Sequence, residues 1–155
     1  MKKILYLYSG EGTKNSESKP ELLKHSKYWS EIDAILSSKL KLNLEEIWNN
    51  EIDKHRCPYS PLLTVASQIC LSDIWTQWGY KPDVVIGHSV GELSAAFQAG
   101  LYSLEDILLL TYQIGEVAAH LNGMMLHGKL SDQQIDQLSV SLSSLNFVDD
   151  AKKHV

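Results

Sequence analysis

Ile4 to Tyr8 is a short aliphatic and aromatic run that stops at Ser9-Gly10-Glu11-Gly12, a pattern that predicts a buried strand opening into a glycine loop. Thr13 to Lys19 is polar throughout and predicts a loop. Leu22, Trp29, Ile32, Leu36 and Leu40 then recur at helical intervals, and a second, shorter helix is expected around Leu44 to Trp48. Cys57-Pro58-Tyr59-Ser60-Pro61 closes that region. Beyond it, Leu62, Ala66, Ile69, Ile74 and Trp78 fall on one face of a helix that Gly79 ends, with Lys81-Pro82 following. Asp83-Val84-Val85-Ile86, bounded by Pro82 and Gly87, predicts a second strand that leads directly into a helix over Glu92 to Gln98.

Ser103-Leu104-Glu105-Asp106 has the form of a capping box, in which a hydroxyl and a carboxylate satisfy orphan backbone donors at a helix start. The helix after it carries an apolar stripe of Ile107, Leu110, Ile114, Val117, Ala118 and Leu121 and is stopped by Asn122-Gly123. Met124 to His127 reads as a strand, and Ser131-Asp132-Gln133-Gln134 caps a further helix. No segment repeats. Strands alternating with helices in this order predict an α/β architecture with a mainly parallel sheet.

Composition narrows the function. With 155 residues, 44% of them hydrophobic and 21% charged, the chain is expected to form a soluble globular unit with a real core. A formal net charge of −5 leaves no basic stripe for a phosphate backbone, which excludes nucleic acid as the expected partner. The longest apolar stretches, such as Ile107 to Leu110, are far too short to span a bilayer. Met1-Lys2-Lys3 precedes a strand rather than a signal peptide. Cys57 and Cys70 lack metal-ligand spacing and read as free thiols suited to a reducing cytoplasm, so neither a metal nor a cofactor is expected.

The chemistry concentrates at Gly87-His88-Ser89-Val90-Gly91. A G-x-S-x-G pentapeptide after a strand and before a helix is a nucleophile elbow: glycines flank a serine on a turn too tight for side chains, which leaves the hydroxyl exposed. The backbone N–H of Val90 would then be one oxyanion donor for a tetrahedral adduct.

The sequence around this pentapeptide resembles a known family. Gly87-His88-Ser89-Val90-Gly91-Glu92-Leu93-Ser94-Ala95-Ala96, then Ala99-Gly100 and Ser103-Leu104-Glu105-Asp106, is similar to the signature of malonyl-CoA:acyl-carrier-protein transacylases and polyketide-synthase acyltransferase domains. Tyr6 to Thr13 resembles the family's opening, a strand ending in a Gly-Gln-Gly-Ser turn, and Ile74-Trp75, Trp78-Gly79 and Lys81-Pro82-Asp83 also fit. The resemblance runs along essentially the whole chain but over only about half of the family's domain.

It implies a hydrolase-like parallel sheet with flanking helices over residues 1–122, and over 123–155 the beginning of an inserted ferredoxin-like subdomain. It also implies that Ser89 accepts an acyl group from acyl-CoA and passes it to the phosphopantetheine thiol of an acyl carrier protein, either as a free-standing enzyme or beside the rest of a synthase. The second oxyanion donor would be the backbone N–H of Glu11, where the family has glutamine. His88 is expected either to line the pocket or to serve structurally, and Gln68 to match a glutamine near the active site.

Two departures stand out. The family's general base is a histidine roughly a hundred residues beyond the serine; His120, His127 and His154 are the histidines after the elbow here, and none sits at the matching motif. Loss of a base costs on the order of 10⁶ in turnover in a subtilisin-type site, so this chain alone is expected to be incompetent. The second departure is Ile114, where malonyl-selecting members carry an arginine for the malonyl carboxylate. A charge-assisted hydrogen bond contributes about 1.5–3 kcal/mol, so its absence predicts an uncharged acyl substrate bound by a pocket that includes Ile114. A serine hydrolase or thioesterase acting on carrier proteins, and a non-catalytic docking fragment, are the competing functions.

Overall fold

The computed structural model describes residues 3–11, 20–50, 55–121, 131, 133, 134 and 137. The chain divides into two compact units, Met1–Leu121 and Asn122–Val155. In the first unit the elements run β1 (Leu5–Tyr8), α1 (Pro20–Leu23), α2 (Tyr28–Ile35) continued by a π-helical turn at Leu36–Leu40, α3 (Leu44–Asn49), α4 (Tyr59–Gln77), β2 (Val84–Gly87), α5 (Gly91–Gln98) and α6 (Leu104–His120).

β1 and β2 are parallel neighbours in register from Leu5 opposite Val84 to Tyr8 opposite Gly87. A parallel pair requires a crossover, and α1 to α4 supply it. Asp83 fixes the register at one end: its carboxylate accepts from the Ile4 N–H at 2.8 Å and its own N–H donates to the Ile4 carbonyl at 2.8 Å. At the other end the His88 N–H donates to the Tyr8 carbonyl at 2.9 Å. The loop after β1 and the turn after β2 therefore leave the sheet side by side. Among the described residues the expected parallel sheet amounts to this one pair, and helices make up most of the structure.

α4 is the centre of the core. Every residue from Pro61 to Cys70 is buried, so a single apolar face, as the spacing predicts, is too narrow a description. The polar members are satisfied within the helix, with Thr64 donating to the Ser60 carbonyl at 2.9 Å, Ser67 to Thr64 at 2.8 Å and Ser72 to Gln68 at 2.7 Å. The other end of the helix reverses this. Trp78, placed on the buried face by its spacing, is 62% exposed and packs edge-on to Trp75.

The apolar period from Leu22 to Leu40 does not form one helix. Asp73 of α4 intercepts the chain: its carboxylate accepts from the Ser26 hydroxyl at 2.7 Å and the Lys27 N–H at 3.0 Å, and the Ser26 hydroxyl accepts from the Tyr28 N–H at 3.1 Å. These bonds end α1, restart the helix as α2 and shift the phase, so that Leu23 is buried and Leu22 is exposed.

α6 begins as expected at Ser103, whose hydroxyl accepts from the Asp106 N–H at 3.1 Å. The Asp106 carboxylate meets that same hydroxyl at 2.6 Å rather than a backbone donor. Of the expected stripe, however, only Ile107 is buried. Leu104, Ile107, Leu108, Thr111 and Gly115 are buried, whereas Leu110, Ile114, Val117 and Leu121 are 39%, 47%, 62% and 68% exposed. The smallest residues decide the orientation: a Cβ on Gly115 would lie 2.7 Å from Pro58 Cα, so the helix approaches its neighbour on this side.

In the second unit, Ser131 and Gln134 cap each other. The Gln134 side-chain oxygen accepts from the Ser131 N–H at 2.9 Å, and the Ser131 hydroxyl accepts from the Gln134 N–H at 3.4 Å. The strand expected at Met124 to His127 and the loop expected at Thr13 to Lys19 lie outside the described residues, as does most of the expected ferredoxin-like segment.

Candidate active site

β2 ends at Gly87, α5 starts at Gly91, and Ser89 lies between them with φ of 54°. A serine in the left-handed region carries backbone strain on the order of 1–3 kcal/mol and persists only where its surroundings enforce it. Here the enforcement is visible. The Gly91 N–H donates to the His88 carbonyl at 3.0 Å and the Glu92 N–H to the Ser89 carbonyl at 2.9 Å, closing the turn. Cβ atoms would fall 2.4 Å from Glu92 backbone atoms if placed on Gly87, and 2.5 Å from the Tyr8 and Ser9 carbonyl oxygens if placed on Gly91. Both glycines therefore let α5 press against the strand ends, and the serine is left at the apex, exposed.

The loop after β1 abuts this apex. A Cβ on Gly10 would lie 2.9 Å from His88 Nδ1 and 3.2 Å from Ser89 Cβ. Gln68 holds the loop in place: its amide nitrogen donates to the Ser9 carbonyl at 2.7 Å, and its amide oxygen accepts from the Ser94 hydroxyl of α5 at 2.7 Å. One buried side chain thus ties the β1 loop to the helix behind the serine. Among the described residues neither the Val90 nor the Glu11 N–H donates to another backbone group.

A cavity of about 330 Å³ opens beside Ser89. Pro61, Val90, Leu93, Ile114 and Ala118 give it apolar walls, and Glu11, Glu92 and Cys57 add polar groups. Burial, reinforced by the Glu11 carboxylate, pushes the Cys57 thiol above its ordinary pKa. Sequence reasoning missed Cys57, Pro61, Glu92, Leu93 and Ala118. Only Ala118 carried a signal, one helical turn beyond Ile114.

The structure therefore brings Ser89, Val90, Glu11 and Ile114 together around one cavity. Gln68 stands beside the site but does not line this cavity: both ends of its amide are engaged by Ser9 and Ser94, and it lines a separate cavity with Leu5, Leu7, Tyr8 and Trp75. His88 is exposed with its ring against Gly10, away from the cavity lining. His120 Nδ1 bonds to the Glu116 carbonyl at 2.7 Å in the last turn of α6, and His127 and His154 lie outside the described residues. Among the described residues no group of three His, Cys, Asp or Glu side chains could hold a metal ion, and no helix is long and apolar enough to cross a membrane.

Comparison with known proteins shows the family. Residues 5–145 match the acyl transferase domain family. The pikromycin polyketide synthase component PikAII of Streptomyces venezuelae is 29% identical over 157 residues, covering 94% of this chain and 4% of that protein. The acyl transferase domain of ZmaA superposes with a TM-score of 0.67 at 26% identity, covering 92% of this chain and 36% of that one. The malonyl-CoA:ACP transacylase of Synechocystis sp. PCC 6803 shares the fold, with a TM-score of 0.75 at 24% identity over 88% of this chain and 47% of that one. The chain thus spans under half of each of these two solved structures and a small fraction of the synthase. On the match over residues 5–145, the chain belongs to the acyl transferase domain family, the group that includes malonyl-CoA:acyl-carrier-protein transacylases and polyketide-synthase acyltransferase domains.

Proposed function

We propose that Ser89 is the acyl-accepting nucleophile of a transferase that takes an acyl group from acyl-CoA and hands it to the phosphopantetheine thiol of an acyl carrier protein. The observation that carries this reading is the strained Ser89 beside a cavity that Val90 and Glu11 also line. The Ser89 hydroxyl oxygen attacks the thioester carbonyl, the tetrahedral oxyanion collapses, and the CoA thiolate leaves and takes up a proton. The carrier thiol then attacks the acyl-serine and regenerates the hydroxyl. The Val90 and Glu11 amides supply the oxyanion donors, each worth about 10² to 10³ in rate by analogy with other preorganised holes.

The serine proton must pass to a base. His88 does not line the cavity and His120 Nδ1 bonds to the Glu116 carbonyl, so we assign the base to the downstream histidine that the resemblance implies. The name of the Synechocystis relative, a malonyl-CoA:ACP transacylase, supports a carrier protein as acceptor, and that of PikAII supports a polyketide setting. Incubation of a polypeptide that includes both this chain and the downstream histidine base with acyl-CoA and a phosphopantetheine-bearing carrier, followed by mass spectrometry, tests the reading. A carrier heavier by one acyl group is expected, and its loss in Ser89→Ala. Release of free acid with an unmodified carrier would instead indicate a hydrolase.

A further inference from the structure

We infer that Gln68 is a positioning residue for acyl transfer: with Ser94 it forms a buried brace that holds the β1 loop and the serine turn in one alignment, so that the Glu11 and Val90 N–H groups converge on the same oxyanion. The inference rests on the reading of Ser89 as acyl acceptor and adds a residue that stands outside the Ser89 cavity. Its ground is the chemistry of the Gln68 amide. The Ser9 carbonyl can only accept, so the amide turns its nitrogen toward Ser9, at 2.7 Å, and its oxygen toward the Ser94 hydroxyl, also at 2.7 Å. A primary amide offers a donor on one side and an acceptor on the other. An ionised glutamate in its place would offer two acceptors, and a leucine neither group.

The two ends of the brace fall on the two halves of the site. Ser9 leads directly into Gly10 and Glu11, and a Cβ on Gly10 would lie 3.2 Å from Ser89 Cβ, so a small shift of this loop drives it against the serine. Ser94 belongs to α5, the helix whose start fixes Val90. The brace is itself anchored. The Gln68 carbonyl accepts from the Ser72 hydroxyl at 2.7 Å, which leaves the Tyr8 hydroxyl to donate to Ser72 at 2.8 Å, so consecutive β1 residues Tyr8 and Ser9 are both tied to α4. Gln68 is 7% exposed and Ser94 0%, and bulk water cannot stand in for either bond. Oxyanion donors act on charge that develops in the transition state, so misaligning them slows the bound complex more than it weakens binding.

A split between rate and binding separates positioning from mere support of the fold. In a polypeptide that includes this chain and the downstream histidine base, acylation of Ser89 is followed by rapid quench and peptide mapping, with whichever of acetyl-, butyryl- and malonyl-CoA acylates the parent fastest. Ser94→Ala, Gln68→Leu and the double variant are compared with the parent well below their melting temperatures. The rate at saturation should fall about tenfold or more in Gln68→Leu and about threefold or more in Ser94→Ala, with half-saturating concentrations within about threefold of the parent's. The double variant should be no slower than Gln68→Leu, because both substitutions cut one brace. If Gln68→Leu does not fold, Ser94→Ala carries the test, since it removes one hydroxyl and leaves the amide in place. Folded variants with the parent's rate at saturation, losses confined to half-saturation, or losses that multiply in the double variant would overturn the inference. The parent distinguishes this from failure of the underlying reading: an acyl group on Ser89 with full-rate variants refutes the brace alone, whereas no adduct on Ser89 refutes the nucleophile and the brace with it.

Discussion

α4 and α6 are the two longest helices described, and they use their apolar residues in different ways. α4 buries its first half on every side, so its leucines, valine and isoleucine serve the core wherever they fall on the helix. α6 is divided. Leu104, Leu108, Thr111 and Gly115, spaced by four, three and four residues, face inward, and Ile114 and Ala118 face the Ser89 cavity. Apolar content is similar in the two helices, yet in one it holds the molecule together and in the other part of it shapes a site. The determinant is not hydrophobicity but size, because Gly115 against Pro58 sets which face of α6 turns inward.

The contrast is most sharply tested by two truncations on α6. Leu108→Ala, at a fully buried position, should destabilise the protein by about 2–5 kcal/mol. Ile114→Ala, at a half-exposed position, should change stability by less than about 1 kcal/mol while altering acyl preference. Denaturant titration of both variants measures the difference, and equal losses would show that the two faces are not distinct.

A smaller effect is expected at the elbow. Gly91→Ala forces a methyl group into the Tyr8 and Ser9 carbonyls, so the strand ends and α5 must separate, at a cost of about 1–3 kcal/mol. Because the displaced atoms border Ser89, acyl transfer should fall more than stability does. Thermal melting and carrier acylation on the same preparation would reveal whether the two change together.

The smallest effect concerns the core thiol. Burial raises the Cys70 pKa from 9.0 to about 12, so the folded state holds a proton that the unfolded state releases at lower pH. This contribution is complete below about pH 9 and is lost as pH rises toward 12. Tyr8, also buried and raised, has the same sign. Stability measured from pH 8 to 11 should decline less steeply in Cys70→Ala than in the parent. Parallel slopes would place Cys70 in contact with solvent.

Much of this was legible in the sequence, and the exceptions have physical causes. Both strands, the Ser103 cap and the elbow were readable because each depends on local chemistry, namely short aliphatic, aromatic or β-branched runs, a hydroxyl three residues before a carboxylate, and two glycines around a serine, but β1, expected to be buried, leaves Leu5 and Leu7 53% and 71% exposed among the described residues. The break between α1 and α2 was not, because it is made by Asp73, more than forty residues away in sequence. The inward face of α6 was misjudged because apolar spacing ranks Leu110 and Val117 above Thr111 and Gly115, whereas close packing favours the small residues. At the site, Ser89, Val90, Glu11 and Ile114 do surround one cavity. Cys57 and Glu92 went unseen since nothing in their spacing connects them to the serine.

The central claim is that Ser89 carries the acyl group. Brief exposure to acyl-CoA of a polypeptide that includes this chain and the downstream histidine base, followed by quenching in acid and peptide mapping, should find one acyl group on the peptide containing Gly87 to Gly91. In Ser89→Ala the adduct should vanish and carrier acylation should fall by about 10³-fold or more. An acyl group on another residue, or undiminished carrier acylation by Ser89→Ala, would contradict the account.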